Sequence, residues 1–423
     1  MRDSVGYRIK YFRSKLNMTQ AELSKGIISV SYLSKIENGN ADPPEEILEL
    51  LKNRLDITQN IDDTCEVEET IIQFFHNLFY KETDEADKNY KLLIKDLYLI
   101  TNNDLLYLLE IHKLQYFILL KKDKQAAEQY FKLNKQSKHF SNKHKYYWLK
   151  FSAYYYFRRL SYSKALELYQ QASSYLDSNI DSRIEEESDL HYMIAVTASH
   201  IRKIHLALVY ANKSLEYYRS IYNLKRAAEC HIIIGISLRR INEYKKSLES
   251  YQLASTIAKS IHNNRIYSLS IQNMGKLYSV MNDSKQAIEY YLKSYELRAD
   301  SPPEKQVIPV SSLMKEYYIK NDLFNAEYWL DKGLQISSSL SPADSIYVYE
   351  FKVYNNLIKG FGDSFEDLIL NNVLPFLKEK QLHYEQYTYL KILAKYYYNI
   401  RKYKLAAKYF DYASIVITNS YME

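Results

Sequence analysis

Residues 272–294 read QNMGKLYSVMNDSKQAIEYYLKS, and residues 232–254 read IIIGISLRRINEYKKSLESYQLA. The two stretches lie forty residues apart and share one spacing. A glycine (Gly235, Gly275) is followed twelve positions later by a small residue (Ser247, Ala287). A tyrosine comes four positions after that (Tyr251, Tyr291), and a second small residue three further on (Ala254, Ser294). Offsets of four and seven place side chains on one face of a helix, so a packing seam is written twice. Glycine inside a helix costs about 1 kcal/mol against alanine, and its return in register marks a place where two helices approach closely.

Outward from this segment the small residue recurs at Ala86, Ala126, Ala165, Ala207, Ser247, Ala287, Ala326 and Ala406, with steps of 40, 39, 42, 40, 40, 39 and 80. The midpoint of the double step, Glu366, falls in a segment that has lost the small residue. Bulky side chains follow at Tyr90, Tyr130, Tyr169, Leu330 and Phe410, and small ones return at Ala172, Ser214, Gly333 and Ala413. Ala153 and Ala195 hold the earlier position of the two glycines. A period of this length predicts an α-solenoid of about nine helix pairs. The seam resembles the tetratricopeptide repeat, whose usual length is about 34 residues; the ~6 extra residues would lengthen each helix pair. Only 8 Gly and 7 Pro in 423 residues favour long helices. Pro302-Pro303 and Pro342 are expected in connections, and Pro309 is expected to open a helix. The 45 tyrosines read first as seam packing with hydroxyls reaching water at the rim, and second as groove lining.

The first residues follow a different plan. Ile9, Phe12 and Leu16 keep helical spacing, and Thr19-Gln20-Ala21-Glu22-Leu23 begins a second helix with a capping box. Gly26 ends it, a third helix starts near Ser29, and a fourth follows Pro43-Pro44. Thr-Gln-Ala-Glu-Leu at 19–23 and Ile-Glu-Asn-Gly at 36–39 resemble the phage-repressor type of helix-turn-helix. That resemblance implies that Gln20 contacts a phosphate and that Ser29, Val30, Ser31, Ser34 and Lys35 face the major groove. It also implies a structural pair, Arg13 with Glu37. Ser29 reads equally as a helix cap. The expected organisation is all-α: a DNA-binding domain over 1–57, a linker over 58–70 and a right-handed solenoid over 71–423.

The net charge of +6 is slight for this length, but its distribution is not even. Residues 1–35 carry seven Lys/Arg against two Asp/Glu, and residues 36–70 carry two against eleven. The basic part holds the helices expected to meet phosphate. No phosphate-binding glycine loop, dinucleotide fingerprint or nucleophile elbow is present. No two histidines stand four apart, so neither a metal site nor intrinsic catalysis is expected, and no cofactor. Cys65 and Cys230 are isolated, no apolar stretch is long enough to span a bilayer, and no leader opens the chain, which together predict a cytoplasmic protein with no membrane partner.

A helix-turn-helix ahead of repeats of about 40 residues resembles the peptide-responsive regulators of Gram-positive bacteria, the RRNPP family. The resemblance covers the whole chain. It implies a transcriptional regulator involved in quorum sensing, with promoter DNA, a short re-imported signalling peptide and further copies of itself, as dimer or tetramer, for partners. The peptide is expected on the concave face, at Lys150, Arg158, Tyr192, Ile232, Arg239, Gln272, Asn273 and Lys276. Asn273 resembles the groove asparagine of such repeats, since an amide can donate to and accept from a peptide backbone at once. The three basic residues Arg158, Arg239 and Lys276 could pair with a carboxylate, or be plain solvated surface. The hinge is expected near residues 58–63. Two rival readings stand beside this: a Rap-like protein that binds a sporulation phosphorelay response regulator and inhibits sporulation, and a repressor with a purely structural solenoid.

Overall fold

The computed structural model describes residues 6, 9–10, 12–14, 16–38, 40–55, 61–96, 100, 102–177, 180, 182–343 and 345–422, and every element among them is helical. It divides into two compact units, 1–152 and 153–423.

The first unit opens with the helix-turn-helix. Thr19 caps Gln20–Ser24, and both hydrogen bonds of the capping box form with Glu22. Gly26 follows with φ 74°, a left-handed turn that leads into Val30–Glu37. Glu45–Arg54 closes the domain, and its core joins Ile9, Phe12, Leu23, Leu33, Ile36, Leu51 and Leu55. Of the expected linker, 58–60 lie outside the described residues. Its remainder, 61–70, is already helical within Ile61–Tyr80, so any hinge at 61–63 would have to be built of helix. Thr83–Asp96, Asn103–Leu119 and Asp123–Gln136 follow.

In the second unit, Ile204–Ser220, Leu224–Arg240, Tyr244–Ser260 and Asn264–Val280 are each 17 residues long and are joined by three-residue turns. Two helices and two turns make 2 × (17 + 3) = 40 residues, which is the sequence period. The turns share one chemistry. Arg202, Tyr222, Asn242, His262 and Asn282 stand twenty apart and all have positive φ, between 51° and 64°. Each ends a helix by letting the chain turn back onto the last carbonyls, as when Asn223 N donates to Tyr218 O at 2.8 Å. The next helix is then capped by Asn223, Asn263, Asp283 or Asp322, whose side chains accept backbone amides at 3.0–3.2 Å. His262 is exposed and pays about 1 kcal/mol for a conformation that glycine adopts freely. His262→Gly should therefore raise stability by about that amount, read as a shift in the denaturation midpoint.

The seam packs as the spacing requires. A Cβ on Gly235 would stand 2.5 Å from the Tyr251 ring, one on Gly275 2.6 Å from Tyr291, and one on Gly333 2.0 Å from Phe351. Ser247 Oγ donates to Gly235 O at 2.8 Å, which ties the two helices of that pair at the glycine. Three expectations need correction. Pro309 lies inside Pro303–Ile319, because Pro303 already occupies the first helical position. The hydroxyls of Tyr169 and Tyr389 do not reach water; both are buried without a hydrogen-bond partner. Ile232 is a core residue, packed with Ala228, Ala254, Ala258 and Ile266, and takes no place in a groove. Where Glu366 interrupts the period, residues 368–373 widen into a π-helix before Pro375, which lacks the amide an α-turn would use.

Candidate functional site

The helix Val30–Glu37 buries Leu33, Ile36 and Glu37 and turns Ser29, Val30, Ser31 and Lys35 outward, with Ser34 half-buried beside them. Ser29 Oγ caps the helix, accepting from Tyr32 N at 3.2 Å, and lies 3.1 Å from Ser31 Oγ. The outward face is short, polar and cationic at Lys35, as a surface that enters a major groove must be. Behind it, three groups converge on one carboxylate whose side chain is 0% exposed. Arg13 Nε and Nη2 donate to Glu37 at 2.6 and 2.9 Å, and Gln20 Nε2 donates at 2.7 Å. The Arg13 pairing is as expected. The Gln20 amide, by contrast, is turned onto Glu37 here, so it braces the two helices of the turn. Glu37 holds the Arg13 guanidinium above its usual range.

In the second unit, the first helices of consecutive pairs pack side by side while the second helices diverge, so the first helices line the concave side. Hydrogen bonds run from each first helix to the next. Arg226 reaches Asp189 at 2.8 Å and its own-helix neighbour Glu229 at 3.1 Å, and Arg265 closes on Glu229. Gln272 Nε2 donates to Ser312 at 2.9 Å, Ser279 Oγ to Glu316 at 2.6 Å, and Lys315 Nζ to Glu350 at 2.6 Å. All but the Arg226–Glu229 bond span one repeat and help to fix the angle between neighbouring pairs.

Among the expected groove residues, this arrangement brings together Arg239, Gln272, Asn273 and Lys276. Gln272 and Asn273 are buried, and Asn273 Nδ2 is turned back to Leu269 O at 2.9 Å. Gln272 Oε1 and Arg239 Nε are buried with no hydrogen-bond partner. Lys276 feels burial first, then Arg239, Lys315 and Arg298, against the single opposing Glu350, and falls to about 8. His200, which keeps solvent exposure, is lowered by the protein around it and by Arg240 and Lys276. The cluster gathers positive charge beside one unused donor and one unused acceptor, a setting that an incoming carboxylate can satisfy. Tyr192 lies under the Arg226 guanidinium, 4.3 Å from ring to charge, and so serves the ion ladder. Arg158 is exposed on the second unit, and Lys150 is buried in the first, 5.1 Å above the Phe79 ring. The sequence reading missed Asp189, Arg226, Glu229, Lys315 and Glu350. Their signal was present as opposite charges one repeat apart, 189 with 226 and 315 with 350.

Residues 9–58 match the helix-turn-helix family model. Helix-turn-helix and charged solenoid together define a regulator in which a DNA reader is joined to a binding scaffold. The chain is 32% identical over 397 residues to the transcriptional activator NprA of Geobacillus stearothermophilus, covering 92% of this chain and 97% of that one. Over 251 residues it is 24% identical to response regulator aspartate phosphatase A of Bacillus subtilis (strain 168), covering 59% and 63%. Its fold matches NprR in complex with its cognate peptide NprX, with a TM-score of 0.69 at 17% identity over 83% of this chain and 99% of the other. A Rap protein complexed with competence and sporulation factor matches with a TM-score of 0.73 at 20% identity, over 84% and 99%. The chain belongs to the RRNPP family of transcriptional regulators. No helix among the described residues is long and apolar enough to cross a membrane, and no group of three or more metal-ligating side chains occurs among them.

Proposed function

We propose that this protein is a cytoplasmic quorum-sensing transcription regulator that works by binding, without catalysis. A short re-imported peptide occupies the concave face and resets the pairing of two or four copies on promoter DNA. The observation that carries the reading is the cationic cluster of Arg239 and Lys276 beside the unpartnered Gln272 Oε1 and Arg239 Nε. A peptide carboxylate would sit there, and Asn273 would turn from Leu269 O to the peptide backbone. Curvature is the coupled variable, since small changes at each repeat interface add along a solenoid.

Two results are expected. Peptide affinity should fall as pH rises through about 8, because the carboxylate binds the protonated Lys276 and the free protein loses that proton there. Titration calorimetry at pH 7 and pH 9 reads this, and Lys276→Gln should remove the pH dependence along with most of the affinity. On the DNA side, Lys35→Ala should weaken promoter binding about tenfold without lowering the melting temperature, since Lys35 is exposed and outside the core.

A second reading is favoured by the likeness to the aspartate phosphatase, which lies over 59% of the chain. In it, the peptide-free protein holds a phosphorelay response regulator on the segment near residues 62–120 and the early repeats. A Ser31→Ala/Lys35→Ala variant separates the two: regulator capture should persist in it while transcription control is lost.

A further inference from the structure

In a solenoid each pair touches its neighbours, so a contact between pairs far apart in sequence closes a loop. The second unit contains one. Arg202, at the left-handed position of the turn after Arg183–His200, lays its guanidinium 3.2 Å from the ring centre of Tyr384. Tyr384 is the second residue of His383–Asn399, the first helix of the last pair. Leu160 packs on the apolar cluster formed by Phe365, Leu390 and Tyr397. Tyr162 stacks on His200 with ring centres 4.2 Å apart, and Glu385 acts on both the Tyr162 hydroxyl and Arg240. The contact is thin: a cavity of about 190 Å³ remains between the two sides, lined by Glu167, His200, Arg202, His383 and Glu385 among others.

We propose that Arg202, Tyr384 and Glu385 form a clasp that joins the two ends of the second unit, holds it at high curvature and thereby gates access to its concave face. The reasoning is mechanical. Between the two ends lie four helix pairs whose mutual angles are set by the packing and the ladder bonds at successive interfaces. A contact across the ends constrains the sum of those angles, and its weakening lets the interfaces relax together. Lys276 lies inside this curve: it acts on His200, two pairs before its own, and feels Lys315 on the pair that follows. At this curvature, groups from successive repeats crowd around one amine. The clasp is built of groups that make and break contact cheaply, a cation on a ring face beside unfilled space. It is thus suited to opening, where a filled apolar interface would not be.

The test uses the full chain with Cys65→Ser and Cys230→Ser, spin labels on cysteines introduced at the exposed Lys164 and Lys404, and electron–electron distance measurement without peptide. Tyr384→Ala should move the label distance outward and broaden it, whereas Tyr384→Phe, which keeps the ring, should restore the parent distribution. In the same variants, acylation of Lys276 by a small anhydride at pH 8 should rise several-fold in Tyr384→Ala and return to the parent rate in Tyr384→Phe. An unchanged distance in Tyr384→Ala, with folding verified by its melting transition, overturns the clasp. A longer distance with unchanged Lys276 reactivity overturns the gating. Neither readout depends on a peptide, so both outcomes stand apart from the fate of the peptide-binding reading.

Discussion

Glu37→Ala is expected to abolish promoter binding by unfolding the helix-turn-helix, a larger loss than any substitution on the recognition surface itself. Its carboxylate is fully enclosed and is the shared acceptor of Arg13 and Gln20. Removal leaves a guanidinium and an amide without that acceptor inside the domain, and breaking a buried ion pair from one side costs about 3–5 kcal/mol. Arg13 keeps some exposure, 14% of its side chain, which sets the expectation near the lower end of that range. A domain with so small a core has little stability to spare. Calorimetry should show an early transition lost while the main solenoid transition stays in place. Glu37→Gln, which keeps the shape and one acceptor oxygen, should lose less. Survival of promoter affinity in Glu37→Ala would contradict the bracing role assigned to this residue.

Gly275→Val should disrupt the solenoid at its centre. The first added carbon would stand 2.6 Å from two ring atoms of Tyr291 and 3.3 Å from the Ala287 carbonyl. Tyr291 is 3% exposed and has nowhere to retreat. Overpacking of this kind costs about 1–3 kcal/mol, and valine's two methyl groups place it toward the upper end. Because the cost arises from one contact, Tyr291→Ala in the same chain should recover part of it, giving a coupling energy of about 1 kcal/mol or more in a double-mutant cycle. Independent, additive losses in the denaturation midpoints would show that the glycine is kept for some other reason. Peptide affinity should fall with the single variant, since Gln272, Asn273 and Lys276 share that helix.

Gly275 also shows what was readable in advance. Small and large residues at fixed offsets specify a seam directly, because close packing under a ring admits only glycine or alanine at that position. The helix-turn-helix was legible because its capping box and its Gly26 turn are local, whereas its Arg13–Glu37 pair was implied only by the resemblance to the phage-repressor type. The turns were not. Tyr222 and His262 occupy left-handed backbone that pattern reasoning assigns to glycine or asparagine, and only the repeat of three-residue connections forces them into it. The concave charges were half legible. Lys276 and Arg239 followed from register, but which carboxylate meets Arg226 or Lys315 depends on the angle between pairs. For the same reason Ile232 was misplaced: one step of helix rotation, about 100°, separates groove from core. The clasp lay beyond any spacing argument, since it joins residues whose nearness is the accumulated sum of several inter-pair angles.

The central claim is that occupancy of the concave face controls DNA binding. Its most direct test is fluorescence anisotropy of labelled promoter DNA titrated with the protein, alone and with synthetic peptides of five to eight residues. These would be tiled across the tail of a short neighbouring open reading frame with a basic start and an apolar stretch. The expected result is one peptide that changes DNA affinity at least tenfold in the parent protein and leaves it unchanged in Lys276→Gln. Tight promoter binding that no peptide alters would contradict the account and leave the solenoid as a structural or protein-binding element.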